Sequence, residues 1–252
     1  MQITTFKVEK VLGNNQITFY PTVIRVNDKN YLVDCGYEES FGEFVAALNT
    51  LGISIEDLYA IIISHDDIDH LGALHLFKSV NRGLIIYCSK IEEPSVSGKI
   101  KSERLIQAEN SLAHIPEEYK SWAIDFIQQL KRIQRLEVDL TLNDNDKIEQ
   151  DIVVIHTPGH TKGHVSLYIP SEGTVIANDA VIIEGDELDI ANPAFTLDLC
   201  QAVKSVEKIR DLNPEKLICY HGGIMQENLH EKLNTLVLKY KTSDNIGFVH
   251  SG

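Results

Sequence analysis

Apolar and polar positions along this chain follow two distinct periods. Residues 1–13, MQITTFKVEKVLG, alternate every second position, the pattern of a half-buried strand. ITFYPTVIRV (17–26) and YLVDCG (31–36) are β-branched and aromatic runs around the turn-forming tetrad NDKN, which predicts a hairpin. SFGEFVAALNTLG (40–52) places its apolar residues at helical spacing and ends in Gly, so a helix is predicted there. YAIIIS (59–64) predicts a buried strand, LGALHLFKSV (71–80) a short helix and LIIYCS (84–89) another strand. In the second half DIVVIHT (151–157), HVSLYIP (164–170) and GTVIAND (173–179) predict strands. LDLCQAVKSVEKIRDL (197–212) predicts a helix, KLICYH (216–221) a strand and MQENLHEKLNTLVLKYK (225–241) a final helix. Mixed strands and helices in two halves predict two sheets face to face with helices outside.

Residues of about 90–136 interrupt this alternation. PEEYKSWAIDFIQQLKRIQRL (116–136) predicts an amphipathic helix. Pro116 suits its first turn, Glu117 and Glu118 complement the positive end, and Lys131, Arg132 and Arg135 the negative end. Tyr119, Trp122, Ala123, Phe126, Ile127, Leu130 and Ile133 form one apolar stripe. SERLIQAENSLA (102–113) predicts a shorter partner helix. No linker, low-complexity segment or short repeat is present, so the expectation is a single domain over 1–252 with a helical insertion at about 90–136. The stripe at 119–133 suits a dimer contact or a buried wall equally, which leaves monomer and homodimer both open.

Composition narrows the class. A 252-residue chain with 43% hydrophobic and 24% charged residues is that of an ordinary soluble globular protein with a substantial core. No apolar run approaches the roughly 20 residues that span a bilayer, and the first residues lack the basic start of a signal peptide. The expectation is a cytoplasmic protein with no membrane role. A net charge of −14 and a pI near 5.1 argue against phosphate-backbone binding, so no nucleic-acid partner is expected. Cys35, Cys88, Cys200 and Cys219 show no C-x-x-C spacing and read as reduced, packed thiols.

The chemistry is concentrated where apolar runs end. IIISHDDIDHLG (61–72) sets His65, Asp67, Asp69 and His70 within six positions directly after a β-branched stretch. Desolvating that many unpartnered ionisable groups is costly, and a divalent metal is their natural partner. Imidazole and carboxylate together suit zinc, manganese or iron. VVIHTPGHTKGHVSLY (153–168) offers His156, His160 and His164, VIANDAVI (175–182) offers Asp179, and KLICYHGG (216–223) offers His221. Ligands at strand ends are fixed by the sheet while their tips stay accessible.

The order His-x-Asp-x-Asp-His, Thr-Pro-Gly-His, Asp, His resembles the metallo-β-lactamase superfamily, as does Asp34-Cys35-Gly36 after an early strand. The likeness runs from about Tyr31 to Gly223. It implies an αββα four-layer sandwich of two mixed β-sheets flanked by helices. It also implies two divalent metal ions, zinc first, with manganese or iron as alternatives. His65, Asp67 and His160 would hold one ion, Asp69, His70 and His221 the other, and Asp179 would bridge them. Metals so bridged lie about 3.5–4 Å apart and share a hydroxide nucleophile. Asp69 would orient or shuttle the proton. Asp34 and His164 are implied as supporting residues. In relatives the insertion builds the substrate pocket wall or a lid, so Trp122 is a candidate substrate contact. Lys162, beside His160, could attract an anionic substrate, and Tyr220, beside His221, could donate to an oxyanion. His75, His114, His230 and His250 carry no motif.

Asp67 departs from the pattern, because most relatives have His there. Two divalent ions bring four positive charges, and Asp67, Asp69 and Asp179 bring three negative ones, so a shared hydroxide would leave the centre near neutral. A harder oxygen donor also tilts preference toward manganese or iron. The leading expectation is a hydrolase of small molecules, cleaving an ester, lactone, thioester or amide in the manner of glyoxalase II-like and lactonase-like relatives. The alternatives are an iron-dependent oxidoreductase of the sulfur dioxygenase kind and a non-catalytic metal-bound binding or sensor protein.

Overall fold

Pro21 divides the run expected at 17–26 into two strands, because a proline cannot donate to a β-ladder. The computed structural model describes residues 1–12 and 15–247. The opening strands are β1 (Gln2–Thr5), β2 (Val8–Leu12), β3 (Asn15–Phe19), β4 (Thr22–Val26) and β5 (Lys29–Val33). Val26 pairs with Lys29, which leaves Asn27 and Asp28 as a two-residue turn, both with positive φ (49° and 59°). That is the conformation that joins antiparallel strands without splaying them, and Asn and Asp tolerate it best after Gly.

The chain divides into two compact units, the first comprising residues 1–17 and 21–142, the second Thr18–Tyr20 with the chain from Asn143 onward. In the first, β5 is followed by α1 (Phe41–Thr50), β6 (Leu58–Ile63), α2 (Ile68–Leu71), α3 (Leu74–Val80) and β7 (Ile85–Ser89). Next come α4 (Glu93–Val96), α5 (Glu103–Ser111), α6 (Glu117–Arg132) and β8 (Leu140–Leu142). The sheet order is β1-β4-β5-β6-β7-β8, antiparallel as far as β5 and parallel from β5 to β8. β6 lies inside this sheet, and Ala60–Ile63 are wholly buried, which explains its unbroken apolar run. Phe44 of α1 is also wholly buried, edge-on to Phe6 and Phe77 at 6.1 Å each.

The insertion forms helices where expected, with shorter limits. Ser102 caps α5 by accepting from Leu105 N at 3.1 Å. α6 stops at Arg132, and Ile133 turns to an extended conformation, so Arg135 lies beyond the helix rather than at its negative end. The apolar stripe also splits. Ala123, Ile127 and Leu130 are buried, whereas Tyr119 and Trp122 are more than half exposed, Trp122 stacked on Phe126 at 5.5 Å.

In the second unit β9 (Lys147–Ile148), β10 (Ile152–His156), β11 (Val165–Ile169) and β12 (Thr174–Asn178) form an antiparallel run. A hairpin of β13 (Ile182–Glu184) and β14 (Glu187–Asp189) and the helix α7 (Leu199–Asp211) then lead to β15 (Lys216–Cys219). β15 lies parallel to β12, with Thr174 opposite Lys216. β16 (Gly223–Met225) completes the order β16-β15-β12-β11-β10-β9, and α8 (Leu229–Gly247) ends the described chain. The last helix, expected from 225, starts at Leu229, because Met225 belongs to β16 and pairs with Leu217 of β15. Val203, Val206 and Ile209 of α7 and Leu233, Leu236 and Val237 of α8 pack with Val175, Ala177 and Leu217 of the sheet.

Among the described residues no helix is long and apolar enough to cross a membrane. Truncating Phe44 removes the ring that α1 buries, so Phe44→Ala is expected to lower unfolding free energy by about 3–5 kcal/mol in a denaturant titration.

Candidate metal centre

Each expected ligand follows the C-terminal end of a strand, where the backbone leaves the sheet and side chains can converge. After β6, His65, Asp67 and His70 are buried and Asp69 is partly exposed. Asp67 starts the single turn of α2, its carbonyl accepting from His70 N and Leu71 N at 3.0 and 3.1 Å. The segment after β5 clamps this turn: Cys35 N donates to His70 O at 2.7 Å and Ala73 N to Gly36 O at 2.9 Å. Gly36 is required there, because it has φ +77° and a Cβ would lie 2.4 Å from the Phe44 ring.

Asp34 organises this half. Its carboxylate, wholly buried, accepts from Ser64 N (2.8 Å), Ser64 Oγ (2.7 Å) and His70 Nδ1 (2.8 Å). Because the Ser64 proton is spent on Asp34, Ser64 Oγ accepts from His65 Nδ1, 2.9 Å away. Both imidazoles therefore carry their proton on Nδ1 and turn a lone pair outward on Nε2. His65 Nε2 lies 3.4 Å from Asp67 Oδ2, and His70 Nε2 lies 3.6 Å from Asp69 Oδ2.

The second unit has its own half. His160 and Asp179 are buried and His221 is partly exposed, with Nε2 of the two histidines 3.7 and 3.6 Å from Asp179 Oδ2. His164 supports this arrangement from behind. Its Nε2 accepts from Asp179 N at 3.2 Å, so its Nδ1 holds the proton and donates to Thr157 Oγ1 at 2.8 Å. Thr157 then donates to Ser166 Oγ (2.9 Å), which donates to Ala177 O (3.0 Å), a relay with one consistent direction. Gly159 lets the loop press onto α7: at φ +136°, a Cβ there would lie 2.3 Å from Ala202 N.

These donors fit divalent metal. Two ligand atoms about 2.1 Å from one tetrahedral ion stand about 3.4 Å apart. The four imidazole–carboxylate separations, 3.4–3.7 Å, match that spacing. They exceed the roughly 2.7–2.9 Å of a charge-assisted hydrogen bond.

The structure also supplies partners that sequence reasoning missed. Arg104 of α5, itself buried, grips Asp67 with both prongs: Nε to Oδ1 at 2.8 Å and Nη2 to Oδ2 at 2.7 Å. Arg135 reaches Asp66 Oδ1 at 2.7 Å and also holds Ser95 O. Burial pushes the Asp66 carboxyl up to about 6, against the downward pull of that guanidinium. The only signal for either arginine was the excess of acid in HDDIDH, which demands a cation without saying which.

The remaining candidates are placed as follows. Lys162 is exposed, and Trp122 is exposed on α6. Tyr220 is 2% exposed and stacks on Phe19 at 5.6 Å. His75 is partly buried near Glu38, His114 and His230 are exposed, and His250 lies outside the described residues. Burial holds His156 below the usual imidazole range. Cys35 and Cys219, beside ligand positions, are buried thiols whose pKa burial raises.

The profile described as the metallo-beta-lactamase superfamily matches residues 20–221. The probable metallo-hydrolase YflN of Bacillus subtilis (strain 168) is 30% identical over 205 residues, 76% of this chain and 74% of that protein. The metallo-beta-lactamase family protein TTHA1429 of Thermus thermophilus has a TM-score of 0.74 at 20% identity, covering 95% of this chain and 79% of its own. AidC, described as a dizinc quorum-quenching lactonase, has a TM-score of 0.59 at 21% identity, covering 83% of this chain and 75% of its own. This chain belongs to the metallo-beta-lactamase superfamily. Its two large mixed sheets and flanking helices match the αββα fold of that family, and its broad class is that of metal-dependent hydrolases.

Asp34→Asn leaves one acceptor oxygen where the carboxylate had two, and turns an amide N–H toward a donor. It is expected to cost about 2–4 kcal/mol of stability by denaturant titration in chelator, and to weaken metal binding about 10- to 100-fold.

Proposed function

We propose that this protein hydrolyses a small carbonyl compound, a lactone, ester, thioester or amide, at a centre of two divalent ions. His65, Asp67 and His160 would hold one ion and Asp69, His70 and His221 the other, with Asp179 common to both. The reading rests above all on the four imidazole–carboxylate pairs at 3.4–3.7 Å, each at a strand end. Zinc is the favoured ion and a lactone the favoured first substrate, since AidC is a dizinc lactonase of the same fold. When bound, such ions supply Lewis acidity, which makes water a nucleophile at neutral pH and polarises a carbonyl oxygen.

The protein's own residues do the rest. Asp34 holds His65 and His70 in the tautomer that presents Nε2, and His164 fixes the backbone of Asp179. Asp69, a partly exposed carboxylate of the first half, would hold the proton of the attacking water and pass it to the leaving group. Trp122 offers an exposed aromatic surface for an acyl chain, and Lys162 an exposed cation for an anionic end. The four cysteines, none in a disulfide, suit a reducing compartment such as the cytoplasm. The iron-oxidoreductase alternative drew on Asp67 as a hard oxygen donor, and the grip of Arg104 on both its oxygens weakens that ground.

At saturating zinc the protein is expected to hold two equivalents by elemental mass spectrometry and to turn over a panel of lactones and thioesters. Chelation should abolish that turnover. Asp179→Ala is expected to lose metal and activity while keeping its circular dichroism spectrum. Full metal and full turnover in that variant would show the assignment to be wrong.

A further inference from the structure

Arg104 is the buried charge that the ligand pattern leaves unexplained. It sits on α5, within the stretch that interrupts the strand–helix alternation, and 3% of its surface is exposed. It meets Asp67 in the two-pronged geometry that is strongest between guanidinium and carboxylate, and each group supplies the counter-charge the other needs to be buried.

Two observations make this more than a structural ion pair. The first is a charge count: Asp67 at −1 and Arg104 at +1 sum to zero, so the pair as a unit brings no net charge to the centre. With Arg104 included, Asp67 no longer draws the proposed two-ion centre toward neutrality. The second concerns one atom. Asp67 Oδ2 lies 3.4 Å from His65 Nε2, so it is the oxygen a shared ion would use, and Nη2 of Arg104 already holds it at 2.7 Å. A divalent ion must share that oxygen with a resident cation, and like charges at such range repel. The imidazole of His70, by contrast, is backed by the Asp34 carboxylate, which makes it a better ligand.

We propose that Arg104 competes with metal for Asp67, so that the position built on His65 and Asp67 is the weaker of the two and α5 sets its occupancy. The proposal rests on the metal-centre reading given above. It makes Arg104 a positioning residue that tunes one ion without touching substrate.

The test is a zinc titration of metal-free protein against a chromophoric chelator. Wild type is expected to bind one equivalent tightly and the second about 10- to 100-fold more weakly. Arg104→Met should tighten the second equivalent and leave the first unchanged. Arg104→Lys keeps a positive charge but loses the fork, and should tighten the second equivalent less than Arg104→Met does. Removing one partner of a buried pair strands the other. The double variant Asp67→His with Arg104→Met, which buries no charge, therefore provides a second route, and it should bind two equivalents of similar affinity. Thermal shift with zinc supplies an independent readout: the gain in Tm at high zinc should be larger in both methionine variants than in wild type.

Equal affinity for both equivalents in wild type would overturn the proposal and leave the two-ion reading intact. So would a second equivalent that is unchanged or weaker in Arg104→Met, the weaker result meaning that Arg104 orients Asp67 for metal. No zinc binding at all by wild type would defeat the metal-centre reading itself.

Discussion

A carboxylate that is not itself an expected ligand sets the geometry of the HDDIDH loop. Asp34 is wholly buried, and three hydrogen bonds, from Ser64 N, Ser64 Oγ and His70 Nδ1, make its burial tolerable. Those bonds join the end of β5 to the end of β6 and settle where the protons of two histidines reside. The loop could not otherwise present two lone pairs on the same side. The left-handed backbone at Asp34 (φ 58°) belongs to this arrangement, since it turns the chain toward α2 and lets Cys35 reach the carbonyl of His70.

The helical insertion is the electrostatic counterpart of that loop. HDDIDH brings more carboxylate than an apolar strand end can bury, and the insertion returns two arginines: Arg104 to Asp67 and Arg135 to Asp66. The first comes from inside a helix and the second from the irregular segment after one, so the insertion does more than present an apolar stripe. The same segment leaves Trp122 and Phe126 stacked and Trp122 exposed, an arrangement suited to meeting something flat and apolar.

Much of this was legible in the chain. The strand before His65 could be read because β6 lies inside its sheet, and a wholly buried strand is written as an unbroken β-branched run. The positions of Asp179 and His221 just past strand ends could be read because β12 and β15 are apolar runs. What could not be read depends on partners far apart in sequence. Nothing near Arg104 marks it as the partner of Asp67, 37 residues away, because an arginine at the start of an amphipathic helix looks the same when it is solvated. The early stop of α6 was hidden because Ile133 continues the helical period while its backbone has already left it. The start of α8 was hidden for the converse reason: β16 is only Gly223–Met225, too short for its alternation to register.

The parallel pairing of β12 with β15 has a consequence for how the molecule comes into being. Parallel neighbours need a crossover, and here it passes through the β13–β14 hairpin and the whole of α7 before Lys216 can settle opposite Thr174. Closing so long a loop loses chain entropy before any ladder bond repays it. The antiparallel β10–β11–β12 meander is joined by the far shorter connections 157–164 and 170–173, so its pairing closes smaller loops. Asp179 would therefore be in place before His221 joins it, so the slower pairing in this sheet is also the one that completes the expected ligand set of this unit.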